Sequence, residues 1–209
     1  SEALEQNSFL RCDPIARTLT VSEGTWSIKN DLVIPRGYSL HVEAGATMSF
    51  TGGSVLLSSS PVMFLGTSEK PIHMKSNNEK PWNGIIVLNA DSESIMQNVI
   101  IQNTDAVSRE GWILTGAVTF YESPVKLMDC QFIDTAAEDA LNIVGTGFTL
   151  SSCLFSHTVS DAFDGEFVTG DITECRLQAI GGDGVDVSGS DIKIEQCKFA
   201  KIADKAVYV

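Results

Sequence analysis

The stretches VKLMDCQF (125–132), FTLSSCLF (148–155), DITECRL (171–177) and IKIEQCKF (192–199) align on Cys130, Cys153, Cys175 and Cys197. Those cysteines recur at intervals of 23, 22 and 22 residues. Three residues before each stands an aliphatic: Leu127, Leu150, Ile172 and Ile194. Two residues after each stands another large apolar group: Phe132, Phe155, Leu177 and Phe199. The earlier stretch IMQNVIIQNT (95–104) fits the same frame, with Val99 in the cysteine position and Ile101 in the phenylalanine position.

A cysteine and the residue two after it share one face of a strand, because side chains alternate along an extended chain. The aliphatic three before has the opposite parity. A bend between the two brings both inside, as a coil with a corner requires. The same residue at the same place in each turn stacks like upon like, with a rise of ~4.8 Å per coil. A second strand follows each block: ALNIVG (140–145), AFDGEFV (162–168), GVDVSGS (184–190) and AVYV (206–209). The repeat therefore predicts an all-β, single-stranded parallel β-helix, a solenoid with coils of about 22 residues.

Working outward, SLHVEAGATMSF (39–50), SVLLS (54–58), VMFLG (62–66), PIHMKS (71–76) and NGIIVLN (83–89) read as strands of less regular coils. Asn77–Pro81 and Asp105–Trp112 read as loops thrown out from the stack. The solenoid is expected over 19–209 as one domain. Residues 1–18 hold the only stretch suited to a short helix and are expected to cap the open end. The chain stops at Val209 within a strand-like pattern, as a piece of a longer protein with neighbouring domains would. Exposed solenoid ends favour edge pairing, so end-to-end self-association is a further expectation.

Acids outnumber bases 27 to 14, for a net charge of -13. That disfavours nucleic acid, which needs Lys and Arg against its phosphates. It equally disfavours an acidic polysaccharide, unless a divalent cation lies between. No run of 18 apolar residues marks a membrane span. The five cysteines include no CxxC pair. The ladder of four is read as small buried hydrophobes, and Cys12 lies outside it.

The segments Val42-Glu43-Ala44-Gly45-Ala46-Thr47 and Trp82-Asn83-Gly84-Ile85, with the repeated cysteine blocks, resemble the right-handed parallel β-helix superfamily of pectate lyases and their relatives. The resemblance implies a right-handed coil and an extracellular, periplasmic or cell-surface setting. It implies association with polysaccharide, as lyase, epimerase, hydrolase or passive surface module. The enzyme signatures are incomplete. Asn103-Thr104-Asp105 matches only the first element of the polygalacturonase-like pattern, and Asp13-Pro14 lacks the His-Asp of the alginate epimerases.

Chemistry is suggested by a second ladder in the turns. Asp139, Asp161, Asp183 and Asp204 recur at 22, 22 and 21, and Asn142, Asp164, Asp186 and Val207 follow three residues later. As turn formers, these aspartates bond their own backbone. As a metal site, Asp161, Asp164, Asp183 and Asp186 could give calcium several of its six to eight oxygens. As a catalytic set, Asp164, Asp186 and Glu166 could act as general acid and base on a glycosidic bond. His41, His73 and His157 show no ligand spacing. Trp112 and Arg109, in the loop after Asp105, are the candidates for holding a sugar. Three functions stay open: a carbohydrate-binding or polysaccharide-associated module, a polysaccharide-active enzyme, and a structural spacer.

Overall fold

The computed structural model describes residues 9–109 and 111–209. Each regular coil places one strand on each of three sheets, and the sheets enclose a single apolar core. The first sheet has nine strands, ending with Val125–Met128, Gly147–Ser151, Thr169–Thr173 and Asp191–Glu195. The second has eight and includes Gln131–Thr135, Leu154–Thr158, Arg176–Ile180 and Lys198–Ile202. The third, also of eight, includes Leu32–Ile34, Leu56–Ser58, Ile85–Leu88, Gly116–Tyr121, Asp139–Val144, Asp161–Glu166, Val185–Ser188 and Val207–Tyr208. Neighbouring strands from successive coils pair in parallel, which makes the chain a parallel β-solenoid of about eight turns of about 22 residues.

The repeat sits in register as its spacing requires. Leu127, Leu150, Ile172 and Ile194 stand one above the other on the first sheet. Phe132, Phe155, Leu177 and Phe199 do the same on the second. The bend between them is a single left-handed residue before each cysteine: Asp129, Ser152, Glu174 and Gln196, with φ of 53°, 55°, 56° and 56°. The corner does not interrupt the ladder. Asp129, Ser152 and Glu174 each donate an N–H to the coil above, at 3.0, 2.9 and 3.0 Å. A second left-handed column, Asp134, His157, Ala179 and Lys201, bends the second-sheet strands. A third, Glu122, Gly145, Phe167 and Gly189, turns the chain back towards the first sheet.

Inside, Cys130, Cys153 and Cys175 are buried. The Cys130 thiol donates to the carbonyls of Met96 and Met128, both at 3.4 Å. Phe132 and Phe155 stack 4.7 Å apart at 4°. Trp82 is buried too, stacked on Phe50 at 4.1 Å, and its Nε1 donates to the Gln102 carbonyl. Next to it Gly84 takes φ +63°, and a Cβ there would lie 1.8 Å from the Ala117 carbonyl oxygen.

Three local expectations are revised. The run 39–50 is two strands, Ser39–Glu43 and Ala46–Phe50, divided at Gly45 with φ +79°. The excursion after Asp105 holds strand pairing of its own, Ser108–Arg109 antiparallel with Trp112–Ile113. The helix expected within 1–18 has no counterpart in residues 9–18. There Leu10–Asp13 forms a strand antiparallel to Thr18–Val21, and residues 1–8 lie outside those described. No helix of the described chain is long and apolar enough to cross a membrane. At the other end, Ile192, Ile194, Phe199 and Ile202 are only partly buried, whereas Ile172, Leu177 and Ile180 one coil below are buried.

Candidate functional site

Both groups of candidate residues lie on the outer side of the third sheet, in different coils. The first group surrounds a pocket of 260 Å³. Its floor is aliphatic, with Val33 and Leu57 facing outward from their strands and Val55 and Val107 beside them. Burial of Val107 with Val55 and Ile86 holds the excursion against the sheet. An ion pair reinforces this: Arg109 Nη2 bonds Asp31 Oδ2 at 2.5 Å, and Arg109 Nη1 donates to the Gly53 carbonyl at 3.3 Å. Asp31 Oδ1 in turn accepts the Val55 N–H at 3.1 Å. Trp112 stands on the rim with 45% of its surface exposed. The sequence-predicted pair Trp112 and Arg109 is thus brought together, and Asp31 is an addition. Nothing near Asp31 in sequence pointed to it, because its partner is 78 residues away.

The second group is the acidic ladder. Asp139 and Asp161 are register partners at the corner where the third sheet begins, and Asn142, Asp164 and Asp186 form a column on the sheet face. Asp161 Oδ1 accepts the N–H of Asp183 at 2.7 Å, and Asp183 Oδ1 accepts the N–H of Lys205 at 2.7 Å. Each aspartate therefore fastens the turn of the next coil. Gly182 leaves room for this, since a Cβ there would meet Asp161 Oδ1 at 2.1 Å. The pattern breaks one coil lower. The Asp161 N–H goes to the Glu138 carbonyl at 2.8 Å. Asp139 is only 3% exposed, and its Oδ2 has no hydrogen-bond partner.

One oxygen of each of Asp161, Asp183 and Asp186 lies within 4.8 Å of the other two. Asp164 sits a coil below Asp186 and accepts a 2.7 Å bond from Asn142 Nδ2. Glu166 is two residues further along the strand and exposed. Burial, with the charges of Glu166 and Asp186, raises the Asp164 carboxyl to about 6. Burial raises Asp139 to about 7, with a Thr115 hydrogen bond opposing and the charge of Asp164 adding. Asp186 is also raised, by burial and then by Asp161 and Asp183, with Lys205 opposing. The structure thus brings Asp161, Asp183 and Asp186 to one point and sets Asp164 beside them. Asp139, a member of the ladder in sequence, gains its interest only from burial.

The two groups do not share a pocket. Four strand steps separate Leu56–Ser58 from Asp161–Glu166, about 19 Å at the usual strand spacing. His41 and His157 lie on different sheets and hydrogen-bond to Ser39 and Ser156, and no histidine joins either group.

No family model matches this chain, and no curated protein matches it. Among solved structures it is similar to the catalytic domain of a GH87 alpha-1,3-glucanase in complex with nigerose, at 11% identity and a TM-score of 0.49. That similarity covers 93% of this chain and 32% of the glucanase chain, so the chain spans about a third of that protein's length. It is also similar to the A-module of the Azotobacter vinelandii mannuronan C-5 epimerase AlgE4, at 12% identity and a TM-score of 0.38, over 90% of this chain and 70% of that one.

Proposed function

We propose that this chain is a carbohydrate-binding β-helix module of an extracellular or cell-surface protein, with a sugar seated in the pocket beneath Trp112. The carrying observation is the pocket itself. An exposed indole stands over an aliphatic floor, and a fixed Asp31–Arg109 pair forms one wall. An indole face is a large apolar surface for the C–H side of a sugar ring. A few placed polar groups then orient the hydroxyls. At 260 Å³ the pocket lies just below the ~300 Å³ at which ligand pockets usually begin, which suits one ring of a chain. The net charge of -13 favours neutral glycans over anionic ones.

Saturation-transfer NMR against a panel of neutral glycans tests this reading. Contacts from at least one glycan are expected in the native protein and are lost in Trp112→Ala. Silence across the panel, or contacts that survive Trp112→Ala, would overturn it.

A second reading, cleavage of a glycosidic bond at the acidic ladder, is favoured by Asp164. A carboxyl raised to about 6 beside a second carboxylate is the division that a general acid and base require. A glycan chain running along the third sheet would then join the pocket to the acids. If Asp164→Ala and Asp186→Ala leave a detected activity intact, the catalytic assignment is wrong.

A further inference from the structure

We propose that Cys175 and Cys197 are a redox-active pair, a modification site at which two thiols on successive coils close into a disulfide. Packing alone does not call for sulfur in this column. Val99 fills the same place one coil below Cys130, and both are fully buried. Yet the next four coils all carry a thiol there.

Register brings the pair together. Leu154, Arg176 and Lys198 donate their N–H groups to the carbonyls of Cys130, Cys153 and Cys175 on the coil below, each at 2.8 Å. The ladder is therefore unbroken at the cysteines, and neighbouring cysteine Cα atoms stand ~4.8 Å apart. A disulfide takes Cα separations of about 4.4–6.8 Å. The thiols also sit alike in their coils. Each donates to the carbonyl of the residue two before it, Met128, Ser151, Thr173 or Glu195, at 3.4 Å. The Cys175 and Cys197 thiols lie within hydrogen-bond reach of each other. A thiol is a weak donor, so little is given up when these bonds break.

Two observations select this pair from the column. Cys130, Cys153 and Cys175 are buried, whereas Cys197 is partly exposed and open to a reagent from solvent. Around Cys197, Ile192, Ile194 and Phe199 are also only partly buried, so this coil can close on Cys175 without tearing a packed core. The electron acceptor is a small-molecule disulfide. The Cys197 thiolate attacks one of its sulfurs, forms a mixed disulfide and releases one small thiol. The Cys175 thiolate then attacks the Cys197 sulfur, and the second small thiol leaves. Two protein thiols lose two electrons and two protons, and the small disulfide takes up both. The cross-link closes a loop of 22 residues and ties two coils together.

The test uses the whole chain carrying Cys12→Ser, which removes the exposed thiol outside the column. The reduced protein is incubated overnight with excess oxidised glutathione at about pH 8.5, near the ordinary thiol pKa, because burial raises the Cys197 thiol. Thiols are then counted in denaturant with Ellman's reagent, and the intact mass is measured. The count is expected to fall from four to two, with two hydrogens lost and no glutathione retained. Adding Cys197→Ser should leave all three remaining thiols free. Adding Cys153→Ala instead should still allow the bond, with a fall from three to one. Circular dichroism establishes that each variant is folded. Four free thiols after incubation would overturn the proposal. So would a stable glutathione adduct on Cys197, which would put Cys175 out of reach, or a loss of two thiols that persists in the Cys197→Ser protein.

Discussion

Phe155→Ala probes the ladder that holds the coils together. Phe155 is 1% exposed, lies 4.7 Å from the parallel ring of Phe132, and has Leu177 in register on the other side. Truncation leaves a ring-sized void between two coils whose backbones are fixed by strand pairing, so the void cannot close. Phe→Ala in such a site costs about 3–5 kcal/mol, part of which is the lost stacking of about 0.5–1.5 kcal/mol. Two companions make the number diagnostic. Phe155→Leu places in this coil the residue that Leu177 provides in the next, and should cost less than about 1.5 kcal/mol. Phe199→Ala removes the same side chain from the last coil, where it is only partly buried, and should cost less than half as much as Phe155→Ala. Urea unfolding followed by circular dichroism gives all three, provided the slope with denaturant is unchanged. A Phe155→Ala loss below about 1 kcal/mol, or one equal to that of Phe199→Ala, would refute the view that interior ladders carry the stability.

Gly84→Ala should destabilise by more than about 2 kcal/mol, because the left-handed φ costs about 1–2 kcal/mol and the added methyl meets the Ala117 carbonyl; thermal unfolding measures it, and a neutral result would place that coil further from its neighbour. With Ellman's reagent, exposed Cys12 should react at once and partly buried Cys197 more slowly, while Cys130, Cys153 and Cys175 wait for unfolding. Four or five fast thiols would contradict the buried column. Asp139 should make stability depend on pH. Below about pH 4 both states hold its proton. Between about 4 and about 7 the unfolded chain releases it first, so stability falls as pH rises, by up to about 4 kcal/mol. In chelator, Asp139→Asn should flatten that slope and be the more stable protein at pH 8; parallel curves for the two proteins would assign the slope to other groups.

The amino-acid order alone determined the solenoid. Period, parity and residue identity coincide in the four cysteine blocks, and one packing satisfies them: strands that stack in register with a bend before each cysteine. That bend was predictable from parity, although its mechanism was not. Asp129 is a recognisable left-handed residue, whereas Ser152, Glu174 and Gln196 are not, and only the coil above and below holds them at positive φ. Gly45 and the hairpin pairing of Ser108–Arg109 with Trp112–Ile113 were missed for a related reason, since a break inside a uniformly β-like run changes no periodicity.

The sites divide in the same way. The aspartate ladder was legible because it repeats with the coil. Which of its members converge was not, because a corner residue of one coil meets the residue three positions further on in the next. That offset joins Asp161 to Asp186 and leaves Glu166 exposed. Trp112 and Arg109 could be named from their loop, but Arg109's partner Asp31 stands just before the strand Leu32–Ile34, three coils earlier. A repeat fixes what lies one period away, because each coil sees the next at constant spacing. Contacts made by a loop that leaves the stack depend on where it folds back, and burial and ion pairing on the sheet face decide that only in three dimensions.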